Sequence, residues 1–301
     1  MVVEAAVSDF LRAVGEHAFL QYALAAGLLA SVACGVVGSW VSARRITYIA
    51  GGIAHSVLGG LGAARYLQTV MEWEWLHPLY GAVVAALLAA LVIGFVSLRW
   101  RESEDTAISA IWAIGMAVGV LFIARTPGYA EDLMSYLFGN ILMVTPGSLW
   151  LIAALDLVVV ALGIIFYQQL LAISFDEEFA RMRGINVEAF YLLLLCMVAL
   201  TVVLLVTVVG LVMVIALLTL PIAIAGRLSR SIAQTMVLAA IIIALLTTVG
   251  LGVSYSANLP AGATIILLTG ALYLITLVGA SFFRRVGRSR GGQASQQQPP
   301  R

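Results

Sequence analysis

Residues 189–226 read "AFYLLLLCMVALTVVLLVTVVGLVMVIALLTLPIAIAG", thirty-eight residues without a single charge. About 20 apolar residues in a helix span the roughly 30 Å of a bilayer's hydrocarbon core. The run is too long for one ordinary span, yet it has no polar loop to divide it. Val209-Gly210 is the expected turn, and it splits the run into two crossings.

Other apolar runs lie near 18–42, 47–67, 79–98, 107–125, 148–171, 232–252 and 261–283, and the divided run supplies 188–207 and 210–226. The chain is 62% hydrophobic and only 10% charged, far from the quarter or so of charged residues in a soluble domain. No polar stretch is long enough to form a separate soluble domain. The expected fold is all-α, a polytopic membrane protein with about nine transmembrane helices and eight as the alternative count. Residues 18–285 are expected to form the membrane domain and 1–17 an extracytoplasmic segment. The tail 286–301, ending "GRSRGGQASQQQPPR", can bury nothing and is expected to be disordered and cytoplasmic. The first eighteen residues lack the basic region and apolar run of a cleavable signal.

Charge placement tests the count. All sixteen basic residues are arginine, and most cluster at Arg44/Arg45, Arg99/Arg101, Arg181/Arg183, Arg227/Arg230 and Arg284/Arg285/Arg288/Arg290, at every second loop. Arginine-rich loops stay inside. An even number of crossings must then separate the two such loops that flank 189–226, which agrees with two. The N-terminus falls outside and the C-terminus inside. The external segments hold Arg12, Arg65 and Arg125 against seven acids, Glu4, Asp9, Glu16, Glu72, Glu74, Glu131 and Asp132. Trp73 and Trp75 suit an interfacial anchor.

Several classes of function are excluded. With no lysine anywhere, the phosphate-cradling loop G-x-x-x-x-G-K-[ST] cannot exist and no Schiff base can form. The spans show no H-E-x-x-H and no paired catalytic carboxylates, so no enzyme is expected. Inverted repeats and paired intramembrane acids are also missing, which disfavours the alternative of a gradient-coupled secondary transporter. Cys34 and Cys196 fall inside spans, where packing is the expected role.

Ionisable groups inside a membrane are costly and mark function by default. His55 lies within the second span, in "YIAGGIAHSVLGGLGAARYL" (48–67), Asp156 within the fifth, and Glu188 at the inner end of the sixth. Glycines 51, 52, 59, 60 and 62 surround His55, so neighbouring helices can approach closely. A neutral imidazole there is a candidate ligand for a divalent cation; a hydrogen bond to a neighbouring helix is the other reading. For Asp156 a satisfied or water-reached polar group stands beside the reading as a metal ligand.

A different signal comes from "LLAISFDEEFARMRGINVEAF", residues 170–190. Asp176, Glu177 and Glu178 precede Arg181 and Arg183, which suits the dipole of a short helix, and Gly184 can stop it. Such a helix presents Phe175, Phe179 and Met182 on one side, an invitation to a protein partner.

The stretches "RRITYIAGGIAHSVLGG" (44–60), "YLFGNIL" (136–142), "SFDEEFARMRGINV" (174–187), "VGLVMVIALLTLPIAIA" (209–225) and "SYSANLPAGATIIL" (254–267) occur in this order. Together they resemble the membrane permeases of ABC importers for zinc, manganese or chelated iron, over residues 18 to 283. The resemblance implies a chain of the prokaryotic cytoplasmic membrane that holds no permanent cofactor and passes a divalent transition metal, with zinc put first. It implies a cytoplasmic ATPase subunit, an extracytoplasmic metal-binding protein and a second permease copy as partners, and no nucleic acid. His55 matches the family's transit ligand. Many members carry an aspartate one turn earlier, where this chain has Gly51, and His55 then needs help from another span, from water or from the second copy. An acid restored by Gly51→Asp is expected to tighten metal binding, provided the packed helix tolerates it. The family's ATPase-coupling loop matches Phe175, Asp176, Glu177, Glu178, Ala180 and Gly184, and Gly51, Gly52, Gly59 and Gly60 line the packing around the pathway.

Overall fold

The computed structural model describes residues 10, 12–73, 75–99, 104–127, 141 and 144–294. Among the described residues the helices whose bounds are defined are, in order, α1 (Ala18–Ala43), α2 (Thr47–Val70), α3 (Pro78–Arg99), α4 (Glu104–Arg125), α5 (Pro146–Ile165), α6 (Tyr167–Phe175), α7 (Glu177–Met182), α8 (Val187–Val209), α9 (Leu211–Leu228), α10 (Ile232–Ala257) and α11 (Ala261–Ala294). No strand occurs among the described residues. Eight of the helices are long and apolar enough to cross a membrane. The ninth long helix, α2, has the length at 24 residues, but its glycines, His55, Ser56 and Arg65 dilute its apolar character.

The uncharged run divides at Gly210, as expected. That residue has φ 79° and ψ 162°, a region essentially closed to side chains, so α8 must end there and α9 begins at the next residue. The fifth span differs from expectation. At Phe166 the backbone opens to φ −101° and ψ 21°, separating α5 from α6. The helical ladder still continues across the joint, with Phe166 N–H bonding Leu162 O at 3.0 Å and Leu170 N–H bonding Phe166 O at 2.9 Å. The joint is therefore a local opening, and the Phe166 ring packs edge-on against Phe190 of α8. The last helix continues to Ala294, beyond the boundary expected at 285; no proline interrupts it before Pro299. The "YLFGNIL" stretch lies outside the described residues except for Ile141, as do 1–9, Glu74, Arg101, Glu131, Asp132 and 295–301.

α8 occupies the centre and packs on α1, α2, α3, α5 and α9. The backbone approaches are closest around α2, which lies between α3 and α4. A Cβ added at Gly60 would collide with the carbonyl oxygen of Gly81 on α3, and one added at Gly81 would collide with that of Gly60. On the side toward α4, a Cβ at Gly59 would come within 2.8 Å of Gly115 O, and one at Gly62 within 2.9 Å of Gly119 O. Small residues facing each other bring the two backbones into contact, which is how helices associate in lipid, where apolar burial gives no preference for protein over acyl chain.

Replacing Gly60 by valine forces α2 and α3 apart and is expected to cost about 1–3 kcal/mol. The matched control is Gly226→Ala, where nothing lies within 4 Å of the added Cβ and helix propensity improves by up to about 1 kcal/mol. Thermal unfolding of the detergent-solubilised chain should show Gly60→Val melting lower and Gly226→Ala no lower than the parent.

Candidate functional site

His55 sits in the third turn of α2, only 8% exposed. Its imidazole stacks on the indole of Trp112 from α4, with ring centroids 4.1 Å apart and planes 20° apart. Tyr48 leans on the same indole at 5.8 Å, and its hydroxyl lies 3.2 Å from Ser109 Oγ. Residues 48, 51 and 55 share one helical face, and Gly51 is the empty place between the two rings. A Cβ there would lie 2.9 Å from Trp112 Cζ3. The indole thus fills the space over position 51, and the condition attached to Gly51→Asp, that the packed helix tolerates the larger side chain, turns on whether Trp112 gives way. Gly52 faces Ile108 of α4 in the same way, at 2.7 Å from its Cγ2 for an added Cβ.

The imidazole is stacked but not hydrogen-bonded through Nδ1, which is buried with no hydrogen-bond partner among the described residues. A buried polar nitrogen without a partner is costly, and it is the atom type that can ligate a cation. No cluster of three or more His, Cys, Asp and Glu that could hold a metal ion occurs among the described residues. Asp156 is not among the neighbours of His55. It lies on α5, 6% exposed, against Ala33 and Cys34 of α1, and its Oδ1 is likewise unpartnered. α5 packs on α1 and α8 while α2 packs on α3 and α4, so the two groups occupy different parts of the bundle.

The second cluster surrounds α7, at the end of the bundle where Arg44, Arg181 and Arg183 lie. Asp176 caps the helix, its carboxylate accepting the Phe179 N–H at 2.9 Å. Glu177 and Glu178 fill the first turn, where the dipole favours acids. The other end is closed by paired bonds from Gly184 N–H to Arg181 O and from Ile185 N–H to Ala180 O, both 3.0 Å, with Gly184 at φ 77°. This is the Schellman arrangement, which requires a left-handed residue at that position. Ala180 is fully buried beneath the helix, whereas Phe175 and Met182 are 74% and 80% exposed and Phe179 is 45% exposed. So large an apolar display beside acids and arginines, on a six-residue helix and the end of the helix before it, suits a protein partner.

Arg44, which the sequence marked only as a loop charge, ties this cluster to the rest. It donates to the Ile173 carbonyl at 2.8 Å, forms an ion pair with Glu177 and lies over the Tyr191 ring, 4.7 Å from its centroid. Trp112 was missed as well. Its only sequence signal was the glycine at position 51, which opens a space without showing what fills it.

Comparison with known proteins agrees with this architecture. The family model described as "ABC 3 transport family" matches residues 16–280. An uncharacterized membrane protein of Synechocystis is 44% identical over 270 residues, covering 90% of this chain and 92% of the relative. The manganese transport system membrane protein MntC of Listeria monocytogenes is 31% identical over 271 residues, with 90% and 94% covered. Among solved structures, PsaBC from Streptococcus pneumoniae in complex with Fab superposes with a TM-score of 0.79 at 29% identity, covering 90% of this chain and 95% of that one.

The occupied slot gives a measurable outcome. Gly51→Asp should destabilise the solubilised protein by about 1–3 kcal/mol, the cost of overpacking. Trp112→Ala introduced into the same chain should recover part of that loss, leaving a non-additive double-mutant cycle in thermal melts.

Proposed function

The chain belongs to the ABC 3 transport family, and from that premise we propose that it is the membrane permease subunit of an ATP-driven importer for a divalent transition metal. The observation that carries the reading is α7, a capped helix that displays Phe179 and Met182 outward beside Phe175 at the end of α6, on a bundle that holds a buried imidazole whose Nδ1 has no hydrogen-bond partner among the described residues. An apolar protrusion of that kind fits a cleft in a cytoplasmic ATPase subunit, since the permease itself lacks the lysine that a phosphate-binding loop needs. The arginine-bearing loops then face the cytoplasm and the N-terminus lies outside. An extracytoplasmic metal-binding protein delivers the cargo, and a second copy of the permease completes the pathway. Ligands supplied by that copy or by water would join His55.

Zinc is the preferred cargo in this reading, although the Listeria relative is named for manganese. Manganese stands at the weak end of the affinity order for nitrogen ligands and favours carboxylates, and the turn before His55 carries Gly51, packed under Trp112, in place of a carboxylate. Passage also requires weak holding, because a closed cage of four ligands would retain zinc as a structural site does.

The test is uptake by vesicles that contain the permease with its ATPase subunit, offered zinc, manganese and ferrous iron in turn. ATP-dependent uptake with zinc ahead of manganese supports the reading, and manganese ahead of zinc overturns the choice of cargo. In the same vesicles His55→Ala should lose metal uptake at normal expression, since alanine suits this small-residue helix; wild-type rates would return His55 to a packing role.

A further inference from the structure

Arg44 does more than mark the loop between α1 and α2. Its side chain is only 11% exposed, and three of its surfaces are engaged at once. Nη1 reaches the Ile173 carbonyl in the last turn of α6 at 2.8 Å, Nη2 pairs with Glu177 at the start of α7, and the guanidinium face covers Tyr191 of α8. The Tyr191 hydroxyl in turn lies 3.4 Å from Ser97 Oγ of α3. Arg45, by contrast, is exposed. A charge that merely held this loop on one side of the membrane would need none of these partners.

The backbone side of Arg44 is equally constrained. Arg45 N–H bonds Ser42 O at 3.1 Å and Ile46 N–H bonds Val41 O at 3.0 Å, with Arg45 at φ 60°. This is the same Schellman closure that ends α7, here built on an arginine in the left-handed region, at a cost of about 1–2 kcal/mol. α2 begins two residues later at Thr47. Eight residues further along, about 12 Å at the helical rise, stands His55. The guanidinium is thus joined to α7 through its side chain and to α2 through a tight, hydrogen-bonded corner.

We propose that Arg44 is the positioning residue that passes displacement of α7 into α2, so that motion received at the docking helix reaches the helix carrying His55. The proposal rests on the reading of α7 as the ATPase-docking helix. Arginine is suited to the task because its rigid planar fork can satisfy a carbonyl, a carboxylate and a ring face together, whereas lysine's single ammonium cannot. Arg44→Lys keeps the loop's positive charge while removing that simultaneous hold.

Two measurements test it. In vesicles with the ATPase subunit, Arg44→Lys should leave insertion, assembly and basal ATP hydrolysis at wild-type levels while the metal moved per ATP falls roughly 5- to 10-fold, the size of a typical coupling between sites. An unchanged ratio, or loss of assembly, overturns the proposal and leaves Arg44 a structural anchor. The second measurement needs no transport. In the solubilised full chain, hydrogen exchange at Thr47–Ile53 should speed up in Glu177→Gln, which breaks the ion pair from the α7 side. Unaltered protection there overturns the relay even if transport is as proposed. A wild-type complex that hydrolyses ATP but moves no metal would instead refute the functional reading, leaving the exchange result to decide the relay.

Discussion

The architecture depends on the close approach of α2 to α3 and α4. In lipid, two helices gain nothing by hiding apolar side chains from water, so association must come from contact area and shape. Gly60 against Gly81 on one side and Gly59 and Gly62 against Gly115 and Gly119 on the other bring backbones together where a single methyl group would hold them apart. The same glycines lower the apolar character of α2, so it alone among the nine long helices falls outside the set apolar enough to span by composition. What makes α2 a poor lipid-facing helix makes it a well-wrapped one, and it is the helix that carries His55.

The remaining polar groups follow the rule that a bilayer supplies no hydrogen-bond partners. Ser39, Ser56, Thr247 and Thr269 each return a hydroxyl bond to the carbonyl four residues earlier, at 2.6 to 3.0 Å, which satisfies them without disturbing helix packing. Against that background stand buried side-chain atoms with no hydrogen-bond partner among the described residues, including Trp40 Nε1, Gln169 Oε1, Thr201 Oγ1, His55 Nδ1 and Asp156 Oδ1. His55 Nδ1 and Asp156 Oδ1 are both buried without a hydrogen bond, and both were singled out by the sequence as ionisable groups inside spans. Their settings differ: His55 is stacked on the Trp112 indole, whereas Asp156 lies against Ala33 and Cys34 of α1.

Much of this was legible in the sequence because it is local. Span length, the break at Gly210, the acids and arginines of α7 and the stop at Gly184 depend on residues within a few positions of each other, and helix geometry turns spacing directly into structure. The two features that escaped are contacts between distant segments. Gly51 and Trp112 are 61 positions apart (112 − 51), and nothing in either segment says that an indole fills the gap the glycine leaves. Arg44 and Glu177 are 133 positions apart, and the arginine looked like any other loop charge. The opening at Phe166 belongs to the same category: the apolar run continues through it, and the ring meets Phe190 of α8 only in three dimensions.

The two halves of the molecule are also held by different forces. At the α7 end the contacts are directional, with a capped helix, two Schellman closures and a guanidinium shared among α6, α7 and α8; such contacts fix angles and break when angles change. Around His55 the contacts between helices are glycine against carbonyl and ring against ring, which have shallow energy dependence on sliding. That gradient runs along α2 itself, from the rigid corner at Arg45 to the smooth glycine faces beyond Ser56, and His55 stands at the boundary between the two.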